Sequence, residues 1–155
     1  MQPHMRHPWL GDLGAHGRDL LVARVDISTT IWPALNDDET DVMVLIYSAE
    51  RGEDFPHLVN AAATRTQNVL ANLESIKTYA IEHAPTDWRP HLQTTDTAPI
   101  PDRLHLDDVS VLAACTVVSF SHPDLGILDV QTDLQGQCEA IDHTSWNPRS
   151  TEHAK

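Results

Sequence analysis

The chain has 155 residues, 41% of them hydrophobic, and a formal net charge of −13 from 23 acidic against 10 basic side chains. That length and apolar content suffice for one domain whose core needs no disulfides. The longest uninterrupted apolar run, Val42 to Tyr47, is far shorter than the roughly 20 residues of a membrane helix, and the excess of carboxylates repels nucleic-acid phosphates, so neither a membrane nor a nucleic acid is an expected partner.

In chain order, Met1 to Pro8 has no apolar segment of the kind a secretory signal requires, and a cytoplasmic location is the expectation. Residues 1–18 carry Gly11, Gly14 and Gly17 with Pro3 and Pro8, which reads as a flexible arm tied down by Trp9. A single domain is expected over 19–145, and a polar tail over 146–155. From Leu21 to Ile31, apolar and polar residues alternate with the period of a half-buried strand. The acidic turn Asn36-Asp37-Asp38-Glu39 leads to Val42-Met43-Val44-Leu45-Ile46-Tyr47, apolar on both faces as a central strand is.

After Gly52, Glu53-Asp54-Phe55-Pro56 supplies an acidic cap and a proline, a plausible helix start. Leu58, Ala62, Val69, Leu73, Ile76 and Ala80 then recur at helical spacing, which predicts one long amphipathic helix ending at Ala84, before Pro85. Val69, Leu73 and Ile76 form the centre of its apolar stripe. Pro85 to Arg103, with four prolines, reads as a long loop carrying Trp88, either a binding anchor or a staple onto the core. Strands follow at 104–112, 115–121, 127–132 and 137–141, joined by turns at His122 to Gly126 and Asp133 to Gly136. The apolar parity changes between Leu106 and Val109, as a β-bulge around Asp107 and Asp108 would require. The expected fold is therefore α+β: an antiparallel sheet with one long amphipathic helix packed on one face and a C-terminal β-meander.

The segments Leu104 to Leu112, Val117 to Phe120 and Gly126 to Gly136 together resemble the C-terminal meander of several small bacterial domains of unknown function, some of which look like immunity proteins encoded beside polymorphic or contact-delivered toxins. The resemblance covers residues 42–143 and includes a long helix before the meander. It implies an architecture and a class of partner, and carries no catalytic residues onto this chain. The proline-rich loop and the high acidity depart from that pattern.

Charge is unevenly spread. Residues 25–60 hold eight carboxylates against Arg51, and 92–148 hold nine against Arg103, whereas 61–91 balance to zero. Such regions either aid solubility or complement a basic partner. No nucleophile elbow, phosphate-cradling glycine loop or His-Glu-x-x-His is present. Three short pairings, His105 with Asp107, His122 with Asp124, and Asp142 with His143, offer imidazole and carboxylate for a metal only if they converge. Cys115 and Cys138 lack metal or redox spacing and read as reduced thiols. No cofactor or metal is expected.

These features point to a non-catalytic acidic binding protein, in particular an immunity protein neutralising a basic toxin domain. Asp129, Gln131 and Asp133 share one side of their strand and form the expected partner face, with Asp107, Asp108, Asp37, Asp38 and Trp88 as further contacts. The alternatives are a small metal-dependent enzyme built on the C-terminal His and Asp residues, and a structural homodimeric accessory domain in which a second copy covers Met43, Leu45 and Tyr47.

Overall fold

The computed structural model describes residues 5–35, 39–88, 90 and 104–145. In chain order its elements are β1 (Met5–His7), β2 (Gly11–Ala15), β3 (Leu20–Asp26), β4 (Asp41–Tyr47), α1 (Phe55–Ala71), α2 (Leu73–Glu82), β5 (His105–Val111), β6 (Thr116–His122), β7 (Gly126–Thr132) and β8 (Cys138–Ser145). All eight strands join one sheet in sequence order. No helix among the described residues is long and apolar enough to cross a membrane.

The expected antiparallel sheet with one long helix is corrected in two respects. The sheet is mixed, because β4 and β5 run parallel. A parallel neighbour needs a crossover that carries the chain back along the sheet, and the helical segment between these strands provides it. The helix is also divided at Asn72 (φ −109°, ψ 18°), which ends α1 and precedes α2. Its side-chain amide donates to the carbonyl of Asn68 at 2.9 Å, the local competition with helical bonding to which asparagine is prone. The break lets α1 lie against β4 and β5 while α2 lies against β7 and β8, a course that suits a twisted sheet.

Residues 5–15, expected within a flexible arm, instead form the β1–β2 hairpin, and β2 pairs with β3. Leu10 and Leu13 are buried there, so isolated leucines among glycines contribute to the core. The first long strand also ends earlier than its alternation predicts. After Asp26 the chain leaves the sheet, and Ile31 is 68% exposed.

Burial divides the sheet into two faces. One cross-strand row runs Ala23, Val44, Val109, Val118, Val130; each of these is buried under the helices, as are Val69, Leu73 and Ile76. Within this core lies an ion pair with both side chains fully buried: Lys77 Nζ of α2 is 2.8 Å from Glu39 Oε1. The other carboxylate oxygen, Glu39 Oε2, accepts the backbone N–H of Leu106 in β5. Three segments distant in sequence are thus joined at one carboxylate.

Two stability changes follow. Leu73→Ala deletes a fully buried side chain and is expected to cost about 2–5 kcal/mol, read from the midpoint of denaturant unfolding; an unchanged midpoint contradicts the packing. Lys77→Met removes the 2.8 Å partner of the buried Glu39 charge, at an expected cost of about 3–5 kcal/mol. Adding Glu39→Gln removes that charge but keeps an acceptor for Leu106, so the double variant is expected to be more stable than Lys77→Met alone, by the same measurement.

Candidate functional site

Strand residues between the buried ones project to the opposite face, which carries no described helix. Here the cross-strand row is Arg24, Met43, Asp108, Ser119, Asp129, Asp142. A second row holds Val22, Leu45, Ser110, Val117, Gln131 and Ala140. Val22, Met43 and Leu45 make the β3–β4 side of this face mainly apolar, and all the carboxylates of the two rows lie on the β5–β8 side.

The acidic side is organised around Ser119. Its hydroxyl donates to Asp129 Oδ1 at 2.5 Å, and Asp108 is its cross-strand neighbour on β5. The register slips between Leu106 and Asp108. In a regular strand Asp107 and Asp108 would point to opposite faces. The bulge removes that alternation: Leu106 and Val109 are buried while both aspartates stay half-buried, and Asp107 lies 3.8 Å from His105. Burial raises the Asp108 carboxyl above its ordinary range, opposed by the Ser119 hydrogen bond and reinforced by the charges of Asp107 and Asp129. Beside this group a shallow hollow of about 310 Å³ is lined by Val117, Asp129, Gln131, Ala140, Ile141 and Asp142. The Gln131 amide at its edge donates to Glu139 at 3.0 Å.

Of the residues expected to meet a partner, Asp107, Asp108, Asp129 and Gln131 lie together on this face. Asp133 does not join them. It lies beyond the end of β7, where its Oδ1 accepts the backbone N–H groups of Gln135 and Gln137, both at 2.9 Å, so its carboxylate shapes the β7–β8 turn. Trp88 is corrected as well: it is 4% exposed and meets the His143 ring edge-on at 5.6 Å, which makes it a staple and removes it as a surface anchor. Asp37 and Asp38 lie outside the described residues.

Ser119 and Asp142 belong to the face and were not among the expected contacts. Ser119 was within reach, because a hairpin centred on His122 to Gly126 pairs it with Asp129. Asp142 was not, because its pairing with Asp129 depends on a register shift near Thr132.

The three histidine pairings stay apart. His105 approaches Asp107, whereas the Nδ1 of the buried His122 accepts the N–H of Asp124 within its own turn at 3.1 Å, and His143 packs on Trp88. Among the described residues no group of three His, Cys, Asp or Glu is placed to hold a metal ion. Cys115 and Cys138 are unpaired and half-buried.

No protein-family model, curated protein or solved structure matches the chain, so the face is interpreted from its own geometry.

The displaced titration of Asp108 has a measurable sign. A carboxyl that holds its proton more tightly when folded loses stability as pH rises from its ordinary value of 3.8 through the folded value. Asp108→Asn removes that penalty and keeps a hydrogen-bonding partner for Ser119. The variant is expected to be more stable than the parent near pH 7, with the gain disappearing below about pH 3. Denaturant titrations at the two pH values check this, and a variant less stable near neutrality contradicts it.

Proposed function

We propose that this chain is a non-catalytic binding protein that presents the β5–β8 half of its open sheet face to a basic protein. The observation that supports this reading is the row Asp108, Ser119, Asp129, Asp142, in which three carboxylates from three strands share one face. Like charges so arranged repel one another, and cationic side chains would relieve that repulsion on docking. Val117, Ala140 and Ile141 around the hollow add apolar contact. Charge complementarity would raise the association rate and fix orientation, while desolvated contacts at the centre hold the complex.

The narrower reading is that the partner is a toxin domain, met in the cytoplasm and neutralised by acidic side chains laid over its basic active site. It is supported by the resemblance of residues 42–143 to small bacterial immunity domains and by the net charge of −13. The same open face, with half-buried Met43 and Leu45 and the 40% exposed Tyr47, is also what a homodimer would cover. Sedimentation of the protein alone separates the two uses.

The test is co-expression with the product of the adjacent gene, recovery of the complex, and comparison with the Asp129→Asn/Asp142→Asn variant. Because exposed charges are screened over about 10 Å at 0.1 M salt, the parent's association should slow steeply with salt. The variant should associate at least several-fold more slowly at low salt, with a shallower salt dependence and a melting temperature no lower than the parent's. Equal rates for parent and variant would falsify this face as the recognition surface.

A further inference from the structure

A second site lies on the helix side of the sheet, away from the acidic face. Between the β1–β2 hairpin, the start of β3 and the N-terminus of α1 is a cavity of about 220 Å³ lined by Met5, Ala15, Gly17, Arg18, Leu21, Arg51, Gly52 and Phe55. Its walls are apolar apart from two arginines. Six of the chain's ten lysines and arginines are among the described residues. Arg6 pairs with Asp12, Arg24 with Asp41 and Lys77 with Glu39, and Arg65 donates to the carbonyls of Leu112, Ala113 and Cys115. The remaining two, Arg18 and Arg51, make no ion pair or side-chain hydrogen bond with the described residues, and both line this cavity. In a chain with this excess of acid, two exposed cations without a described partner thus border one largely apolar hollow.

The backbone holds one of them there at a cost. Arg51 has φ 55°, the left-handed conformation that side-chain-bearing residues rarely adopt. The turn is fixed by Ser48, whose Oγ accepts the N–H groups of Glu50 at 3.0 Å and Gly52 at 2.9 Å and donates to Asp54. Gly52 is required by close approach: a Cβ there would lie 2.9 Å from both the Arg18 carbonyl oxygen and the Phe55 ring. The two arginine-bearing segments and the first residue of α1 are therefore packed against one another. The first turn of α1 carries no acidic residue, and the carboxylate of its N-cap, Asp54, is held by the Ser48 hydroxyl.

We infer that this cavity binds a small carboxylate with a compact apolar body, its charge met by Arg18 and Arg51 and its apolar part by Met5, Ala15, Leu21 and Phe55. Guanidinium groups suit a carboxylate because they can donate two parallel hydrogen bonds. The volume is below the roughly 300–1,000 Å³ of drug-sized sites, which limits the apolar body to the size of a large side chain. A free short-chain acid and the C-terminal residue of a peptide both present this chemistry.

The test is titration of the full chain, followed by amide NMR shifts, with hexanoate and with acetyl-Ala-Leu bearing a free C-terminus, each beside its neutral amide. At least one acid should bind saturably, shift amides of residues 15–21 and 51–55, and bind about tenfold tighter than its amide; the tighter of the two acids identifies the source. Arg18→Gln/Arg51→Gln should abolish that preference for acid over amide while leaving the melting temperature unchanged. Equal binding of acids and amides, shifts elsewhere in the molecule, or saturable binding that survives the double substitution would each overturn the assignment.

Discussion

The buried carboxylate of Glu39 organises the rest of the structure. A charge taken from water is tolerated only when paired and hydrogen-bonded, and here one oxygen meets Lys77 while the other accepts the N–H of Leu106. The pair sets α2 over the sheet, fixes the segment that enters β4, and ties down β5 one residue before its bulge. Because both charges are fully buried, removing either one weakens the compensation of the other. The geometry of the acidic face thus rests on an interaction on the opposite side of the sheet, since the residue after Leu106 is Asp107, where the register slips.

The two faces of the sheet answer to different demands. Under the helices, valines and leucines from β3 to β7 are packed to complete burial, which is where most of the favourable burial energy arises. On the open face, the central and C-terminal strands place carboxylates next to one another across β5 to β8, with Ser119 between two of them and donating to Asp129. Stability alone does not favour that arrangement, because neighbouring like charges oppose folding. Gly126 helps to hold it: φ is 144°, and a Cβ there would lie 2.0 Å from the carbonyl oxygen of Thr144. The edge strand β8 can approach β7 closely only because that side chain is absent.

Much of this was legible in the sequence, for identifiable reasons. The apolar stripe at Val69, Leu73 and Ile76 has a helical period and is buried. The parity change around Asp107 and Asp108 marks the register slip in β5. What escaped is what periodicity does not encode. Asn72 is compatible with either a continued or an interrupted helix, and the twisted sheet beneath favours interruption. The direction of β5 relative to β4 depends on the crossover between them. Asp133 alternates correctly with Asp129 and Gln131, yet the turn takes its carboxylate for two backbone N–H groups. Glu39 reads as one more acid in a surface turn, and its burial depends on groups distant in sequence, Lys77 and the N–H of Leu106 among them.

The central claim is that the β5–β8 half of the open face is a recognition surface. The most direct measurement is amide NMR shift mapping of the labelled chain on addition of the basic protein recovered from the adjacent gene. Changes are expected to concentrate at Asp108, Ser119, Asp129, Gln131 and Asp142, with α1 and α2 little affected. Changes confined to the helices or to the β1–β2 hairpin, with the acidic row silent, would contradict that claim.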